Sequence, residues 1–187
     1  QDIDVVDTDV NAANAKARDL LTKGVTSLGF VANADTDVAA LLKDIDLATV
    51  EVNLKCCPKC AATLTAALVQ AVRAAGAADT FRGSVAFDPF KRALKHGSAF
   101  PGDIAAMAAE LMRLAEPVKG LRVLSVDSVM LCNAGAYIYQ ELGYALSWGN
   151  EWMAMLTDSG FAPDDVAKRI KFNMGISENI FENSKSS

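Results

Sequence analysis

Short runs of apolar and β-branched residues alternate along the chain with longer segments in which apolar residues recur every three or four positions. The short runs predict strands over residues 25–31, 49–54, 83–87, 121–126 and 169–173. The longer segments predict helices over residues 9–23, 36–43, 62–75 and 134–156. Pro101 and Asp103 mark the start of one further helix, and another begins near Ser177. Strands that alternate with helices indicate βα units with parallel strands and right-handed crossovers.

Two parallel folds fit this alternation, an open doubly wound sheet and a (β/α)8 barrel. A barrel needs eight strands and about 250 residues, whereas this chain has 187 residues and five predicted strands. Length and strand number alone therefore favour the open sheet. We expect one domain over residues 1–182 and a frayed or artificial tail over residues 183–187. The N-terminus is expected to be a solvated acidic arm that carries Asp2, Asp4, Asp7 and Asp9.

Charge and composition narrow the class of function. The chain carries 18 basic and 23 acidic residues, for a formal net charge of -5, and 51% of its residues are hydrophobic. An acidic surface disfavours binding to nucleic acid or to an anionic membrane, because both need basic patches. No apolar run approaches the roughly 20 residues of a spanning helix. Residues 1–10 lack the basic and apolar regions of a secretory signal.

Three of the four cysteines lie in one short segment, residues 55–60 (KCCPKC), and the fourth is Cys132. A secreted disulfide scaffold would spread its cysteines along the chain, so this pattern favours a reducing compartment, and we expect a cytoplasmic location. The spacing of Cys57 and Cys60 is also that of zinc knuckles and thioredoxin-like motifs. A structural zinc site needs four ligands, however, and His96 and Cys132 are the only other soft ligands. The segment therefore predicts small residues that line a pocket, with a thiol or zinc-binding module as the alternative.

Three further stretches carry an ordered set of motifs. Residues 83–91 (GSVAFDPFK) are similar to the motif G-T-I-Q-N-D-I-L-K, and residues 125–136 (SVDSVMLCNAGA) are similar to S-I-S-G-Y-H-I-Q-E-A-G-A. Together with residues 161–172, they resemble in order and spacing the substrate-binding barrel of the methylmalonyl-CoA mutase family. The similarity runs from about residue 10 to residue 182, and its N-terminal half looks more like the family's small subunits. The resemblance implies a fragment of that fold, a partial (β/α)8 TIM-type barrel of about five parallel βα units.

The positions that would hold the substrate differ from the family pattern. Ala86 stands where the family has a glutamine, Met130 where it has the histidine that contacts the thioester, and His96 at or near its carboxylate-binding arginine. Neither Ala nor Met donates a side-chain hydrogen bond. A mostly neutral His lacks the permanent positive charge of Arg and its two parallel hydrogen-bond donors. We predict Cys57 as a fourth position lining the emptied pocket. Because each lost hydrogen bond to a charged group costs roughly 1.5–3 kcal/mol, the resemblance implies a chain that is not catalytic.

The cofactor loop of the family is also missing from this sequence. That loop has the pattern D-x-H-x-x-G, in which the histidine ligates cobalt, but the only histidine here is His96, and Leu94 stands at the Asp position. The resemblance therefore implies that this chain binds no cofactor and that adenosylcobalamin lies in a partner, the methylmalonyl-CoA mutase large subunit. It implies a small subunit of a heterodimer, with a role in assembly and stability. The alternative is a divergent acyl-CoA mutase that uses Lys55, Lys59 or Asp127.

Overall fold

The computed structural model describes three parts of the chain, residues 2–5, 9–97 and 103–175. The predicted helix near Ser177 and the predicted tail over residues 183–187 lie outside the described residues. Contacts divide the chain into two compact units. The first consists of Gln1–Phe87 and Met107–Val123, and the second of Asp88–Ala106 and Leu124–Ser187.

Strands and helices alternate along the described residues. In chain order the elements are β1 (Asp2–Val5), α1 (Val10–Thr22), β2 (Ser27–Val31), α2 (Val38–Leu41), β3 (Glu51–Lys55), α3 (Ala61–Ala74), β4 (Gly83–Val85), α4 (Pro89–His96), α5 (Ile104–Ala115), β5 (Leu121–Arg122), β6 (Leu124–Asp127), α6 (Val129–Asn133), α7 (Ile138–Asp158), α8 (Pro163–Arg169) and β7 (Ile170–Asn173). A 3₁₀ turn, Pro58–Cys60, leads directly into α3. Within the described ranges, none of these helices has the length and apolar character needed to cross a membrane.

A five-stranded parallel sheet forms the centre of the first unit. Its strands are hydrogen-bonded in the order β1-β2-β3-β4-β5, and each runs parallel to the next. This sequential order is that of a (β/α)8 barrel, because a doubly wound sheet reverses its order at a switch point. The prediction of a partial TIM-type βα fold is therefore confirmed, and the open doubly wound sheet that length alone favoured is wrong.

Alternation along the strands gives this sheet one apolar and one polar face. Leu28 lies beside Val52, and Phe30 lies beside Leu54, and all four are at most 1% exposed. Because a slip of one residue would turn these side chains to the other face, their burial fixes the register. The opposite face carries a row of residues in register, Asp4, Gly29, Asn53, Ser84 and Arg122.

Helix α3 shows why the sequence pattern was a reliable guide in the first unit. Leu64, Leu68 and Val72 recur at helical spacing, and each is at most 1% exposed. Pro58 begins the preceding 3₁₀ turn, where its missing N–H costs nothing. Gly76, with a φ of +69°, follows the last turn in the left-handed conformation that glycine adopts without strain.

The second unit contains a two-stranded parallel sheet, in which β6 pairs with β7. Trp152 of α7 is fully buried, and its indole N–H donates to the backbone oxygen of Ser125 at 3.2 Å. Phe90 of α4 meets the rings of Trp148 and Trp152 edge-on, with ring centroids 5.7 and 5.0 Å apart. Three aromatic side chains therefore join α4 to α7.

Two features of the N-terminal half differ from the prediction. The residues expected to form a solvated acidic arm include β1, which pairs with β2 and buries Val5. The alternation of Asp and apolar residues there is a strand pattern, and Asp4 lies on the polar face of the sheet. Helix α2 is shorter than predicted, and its cap is Asp37, whose side chain accepts the backbone N–H of Ala40. Thr36 accepts the backbone N–H of Asn33, which forms a turn before the helix.

Three features of the C-terminal half also differ. The predicted strand over residues 121–126 divides at Val123 into β5 and β6, which belong to separate sheets. The long helix begins at Ile138, not at residue 134, because Gly135 adopts a φ of +93° and separates α6 from α7. Helix α4 was not predicted, although Asp88 followed by Pro89 is a helix-start signal.

Candidate functional site

Ala86 lies at the carboxyl end of β4, where parallel βα folds place their functional groups. Its backbone N–H donates to Leu54 at 2.8 Å, and its backbone oxygen accepts the Cys56 thiol at 3.3 Å. The half-buried side chain is a methyl group. Both backbone polar groups are thus engaged with neighbouring residues, and the side chain has no hydrogen-bonding atom to offer a substrate.

Three cysteines cluster after the carboxyl end of β3. The sulfur atoms of Cys57 and Cys60 are 3.0 Å apart, because the 3₁₀ turn between them closes with a hydrogen bond from the Cys60 N–H to the Cys57 oxygen. Cys57 is exposed, whereas Cys56 and Cys60 are half-buried. The two cysteines with zinc-knuckle or thioredoxin-like spacing are thus adjacent in the first unit, and Cys132 belongs to the second unit.

The thiols of this cluster differ in their acidity. Burial, with smaller contributions from the charges of Cys57 and Cys60, raises the pKa of the Cys56 thiol to about 12. The hydrogen bond with Cys57 is the main cause that raises the pKa of Cys60, and a backbone hydrogen bond from Ala34 opposes it. Cys56 is consequently protonated and unreactive at neutral pH.

Metal binding receives no support from this arrangement. Among the residues that the structure describes, no group of three or more His, Cys, Asp or Glu side chains converges as it would to hold a metal ion. A structural zinc ion takes four protein ligands, so Cys57 and Cys60 alone fall short of such a site.

The polar face of the first sheet is held by ion pairs and hydrogen bonds. Lys55 pairs with Asp4, and Arg122 lies 4.0 Å from Glu51. The hydroxyl of Ser84 donates to the side-chain oxygen of buried Asn53 at 2.6 Å. Lys55 was a candidate replacement group for a divergent enzyme, and its ammonium group is already paired with a carboxylate.

A cleft of the first unit lies at the amino ends of the strands. It has a volume of about 730 Å³, and its lining includes Thr26, Glu51, Arg82 and Lys119. The cysteine cluster and Ala86 lie at the other end of the same strands. The cleft is therefore separate from Ala86 and Cys57, the two predicted pocket positions of the first unit.

In the second unit, Asp88 sits at the centre of a network that the sequence did not predict. One carboxylate oxygen accepts the backbone N–H of Lys91 at 2.9 Å and caps α4, and the other accepts the backbone N–H of Asp127 at 3.0 Å. The ammonium group of Lys91 in turn pairs with Asp127. Burial, opposed in part by the two backbone hydrogen bonds, raises the pKa of Asp88 to about 7.

Glu141 forms a second buried polar contact in this unit. One of its carboxylate oxygens accepts both the Ser128 hydroxyl at 2.8 Å and the Gly175 backbone N–H at 2.7 Å. Its side chain is almost fully buried. Glu141, together with Ser128 of the motif at residues 125–136, thus connects α6, α7 and the segment after β7.

Met130 and His96, the two other predicted pocket positions, belong to the second unit. Met130 lies half-buried in α6, three residues after the end of β6, and its thioether is at most a weak acceptor. His96 is the last residue of α4 before the left-handed Gly97, and its side chain lies outside the described residues. Ala86 and Met130 thus both follow strand ends without a strong hydrogen-bonding group.

Comparison with known proteins places these features in a family. The family profile described as methylmalonyl-CoA mutase matches residues 8–184. A methylmalonyl-CoA mutase small subunit of Porphyromonas gingivalis is 49% identical, over 97% of this chain and 30% of that protein. A methylmalonyl-CoA mutase small subunit of Streptomyces virginiae is 34% identical, over 86% of this chain and 27% of that protein. The chain spans less than a third of the length of these curated relatives, and it belongs to the methylmalonyl-CoA mutase family.

Proposed function

We propose that this chain is part of a non-catalytic small subunit that assembles with a large subunit of methylmalonyl-CoA mutase. The observation that carries the proposal is Ala86, whose backbone groups are both engaged and whose side chain is a methyl group. A position at the end of a barrel strand normally supplies a polar group for binding or chemistry. Both curated relatives are named as small subunits, which agrees with this assignment.

Met130 supports the same proposal from the second unit. The resemblance puts a thioester-binding histidine at this position, and methionine neither donates a hydrogen bond nor transfers a proton. Each missing contact to a developing charge costs roughly 1.5–3 kcal/mol, and about 1.4 kcal/mol corresponds to a tenfold loss of rate. The substitutions at Ala86 and Met130 together therefore lower turnover by several orders of magnitude.

In this proposal, adenosylcobalamin and the isomerisation of methylmalonyl-CoA and succinyl-CoA belong to the large subunit. The only histidine in the chain is His96, and the sequence around it lacks the D-x-H-x-x-G cobalt-binding pattern. Exposed large side chains on and just before α7, Tyr137, Tyr139, Tyr144 and Leu146, offer apolar surface for a protein contact. The role of this chain is then to support assembly and stability of a heterodimer in the cytoplasm.

A divergent acyl-CoA mutase is the second candidate, and two contacts disfavour it. It would need polar replacements for the lost groups, and the nearby candidates were Lys55, Lys59 and Asp127. Lys55 is paired with Asp4, and Asp127 is paired with Lys91. A charged side chain that already has a partner must give up that contact before it binds a substrate.

The test combines size-exclusion chromatography and light scattering with an activity assay. The chain is run alone and mixed with a large mutase subunit loaded with adenosylcobalamin, with bovine serum albumin in place of the chain as the control. We expect co-elution at the mass of a one-to-one complex. We also expect no succinyl-CoA from methylmalonyl-CoA and adenosylcobalamin when the chain is alone. Turnover by the chain alone would contradict the non-catalytic role, and separate elution would contradict the partnership.

A further inference from the structure

The Cys57 and Cys60 pair carries chemistry that the proposed function does not use. The two sulfur atoms are 3.0 Å apart in the turn that links β3 to α3. A disulfide bond is about 2.05 Å long, so the sulfur atoms have to approach by about 1 Å. The backbone hydrogen bond from Cys60 to Cys57 already holds the turn closed at 3.0 Å.

We propose that Cys57 and Cys60 form a reversible intramolecular disulfide by exchange with a small-molecule disulfide such as oxidised glutathione. In the first step the Cys57 thiol loses its proton to water, its sulfur attacks one glutathione sulfur, the glutathione S–S bond breaks, and one glutathione thiolate leaves and takes a proton from water. In the second step the Cys60 thiol loses its proton to water, and its sulfur attacks the Cys57 sulfur. The S–S bond between Cys57 and glutathione breaks, and the second glutathione thiolate leaves and takes a proton from water. The two cysteines lose two electrons and two protons, and one oxidised glutathione becomes two reduced molecules.

Exposure decides which cysteine reacts first. Cys57 is the exposed member of the cluster, so an incoming disulfide meets its sulfur before the others. Cys56 is half-buried, and its thiol donates to the backbone oxygen of Ala86 at 3.3 Å. Cys60 lies one 3₁₀ turn after Cys57 and is placed to resolve the mixed disulfide.

Metal binding by the same two cysteines is the competing chemistry, and the described residues disfavour it. No third His, Cys, Asp or Glu in the part of the chain that the structure describes joins the pair to form a metal-binding group. A disulfide, by contrast, needs only two sulfur atoms. The two cysteines also meet in a turn that begins with Pro58, whose fixed φ limits the motion of the backbone between them.

The test is a redox titration of the whole chain in glutathione buffers of increasing oxidised fraction, followed by alkylation of remaining thiols and mass spectrometry. We expect the number of alkylated thiols to fall from four to two, and dithiothreitol to restore all four. Trypsin cleaves after Lys55, Lys59 and Arg73, so the disulfide links two otherwise separate peptides, residues 56–59 and residues 60–73. Four alkylated thiols at the highest oxidised fraction would overturn the proposal, and so would a glutathione adduct without linked peptides.

Single serine variants identify the bonded pair. Cys57→Ser and Cys60→Ser should each abolish the linked peptides. Cys56→Ser and Cys132→Ser serve as matched controls and should leave the linkage and its midpoint unchanged. Loss of the linkage in Cys56→Ser would assign the bond to Cys56 and overturn the proposal. Because this readout needs neither the large subunit nor turnover, its failure is separate from a failure of the proposed function.

Discussion

The Asp88 carboxylate accepts the backbone N–H of Asp127 at 3.0 Å and so ties the start of α4 to the end of β6. Its other oxygen caps α4 through the Lys91 N–H at 2.9 Å. The same side chain is sufficiently buried that its pKa rises to about 7. A single carboxyl group therefore connects two elements of the second unit and makes their stability depend on pH.

The first prediction concerns the pH dependence of stability. An unfolded Asp titrates near pH 4, so between about pH 4 and pH 7 the folded chain keeps a proton on Asp88 that the unfolded chain has lost. Stability must then fall as the pH rises through this range. Asp88→Asn should remove this part of the slope. At pH 5 it should cost roughly 1 kcal/mol, because one amide oxygen replaces two acceptors. Urea unfolding at pH 5 and pH 8 measures both effects.

Asp79→Asn is the matched control for this prediction. The Asp79 side chain is 87% exposed and lies 3.7 Å from the equally exposed Lys119. Its removal should leave the pH slope unchanged, because exposed pairs contribute little. An unchanged slope in Asp88→Asn would show that another group causes the pH dependence.

The second prediction concerns Glu141. Replacing it with Ala removes the acceptor of the Gly175 N–H at 2.7 Å, whereas the Ser128 hydroxyl loses its contact at 2.8 Å but keeps the Asn173 backbone oxygen at 3.2 Å. A buried polar group that loses its partner costs about 1–3 kcal/mol, so Glu141→Ala should lower the free energy of unfolding by roughly 1–3 kcal/mol. Glu141→Gln keeps an acceptor oxygen and should cost clearly less. Thermal unfolding followed by circular dichroism distinguishes the two variants, and equal losses would contradict the assigned role.

The third prediction concerns Gly83, the first residue of the motif at residues 83–91. A Cβ atom on Gly83 would lie 2.1 Å from the Val52 backbone oxygen and 2.7 Å from the Phe81 ring. Because the backbone of the neighbouring strand must move, Gly83→Ala should destabilise the chain by about 1–3 kcal/mol. Gly143 lies within α7, and a Cβ there meets nothing within 4 Å. Gly143→Ala should therefore stabilise by roughly 0.5–1 kcal/mol, and chemical unfolding of both variants tests the contrast.

Predictions from the sequence were most accurate where one periodic pattern of apolar residues determines both a secondary-structure element and the face by which it packs into the core. Leu64, Leu68 and Val72 of α3 are an example, since their spacing alone predicts a buried helical stripe. The sequence also placed Cys57 and Cys60 in one short segment, and in the structure their sulfur atoms are 3.0 Å apart. The pattern missed β1, since a four-residue run of alternating Asp and apolar residues becomes a strand only when the edge of β2 is available to pair with it.

The pattern of apolar and polar residues could not predict contacts between residues that are far apart in the chain. Asp88 and Asp127 are 39 positions apart, and nothing in the local sequence shows that one accepts the other's N–H. The functional assignment relied on a different kind of signal. Ala86 and Met130 are informative only beside the family pattern, because an alanine or a methionine by itself indicates ordinary packing.

The last prediction separates two tryptophans that lie on the same helix and meet the same phenylalanine. The Trp152 indole N–H donates to the Ser125 backbone oxygen at 3.2 Å, whereas the buried indole nitrogen of Trp148 has no acceptor among the residues that the structure describes. Both rings meet Phe90 edge-on. Trp152→Phe should thus lose a buried hydrogen bond and packing volume and cost about 2–3 kcal/mol. Trp148→Phe loses volume but removes an unsatisfied donor, so it should cost less than about 1 kcal/mol.

Intrinsic fluorescence makes this comparison direct, because the chain has two tryptophans and each variant keeps one. Urea unfolding of each variant gives its free energy of unfolding. Circular dichroism is the probe that both variants share with the unsubstituted chain. A larger loss for Trp152→Phe than for Trp148→Phe supports the hydrogen bond to Ser125 as the difference between them. Equal losses would mean that packing against Phe90, which both rings share, sets the contribution of each.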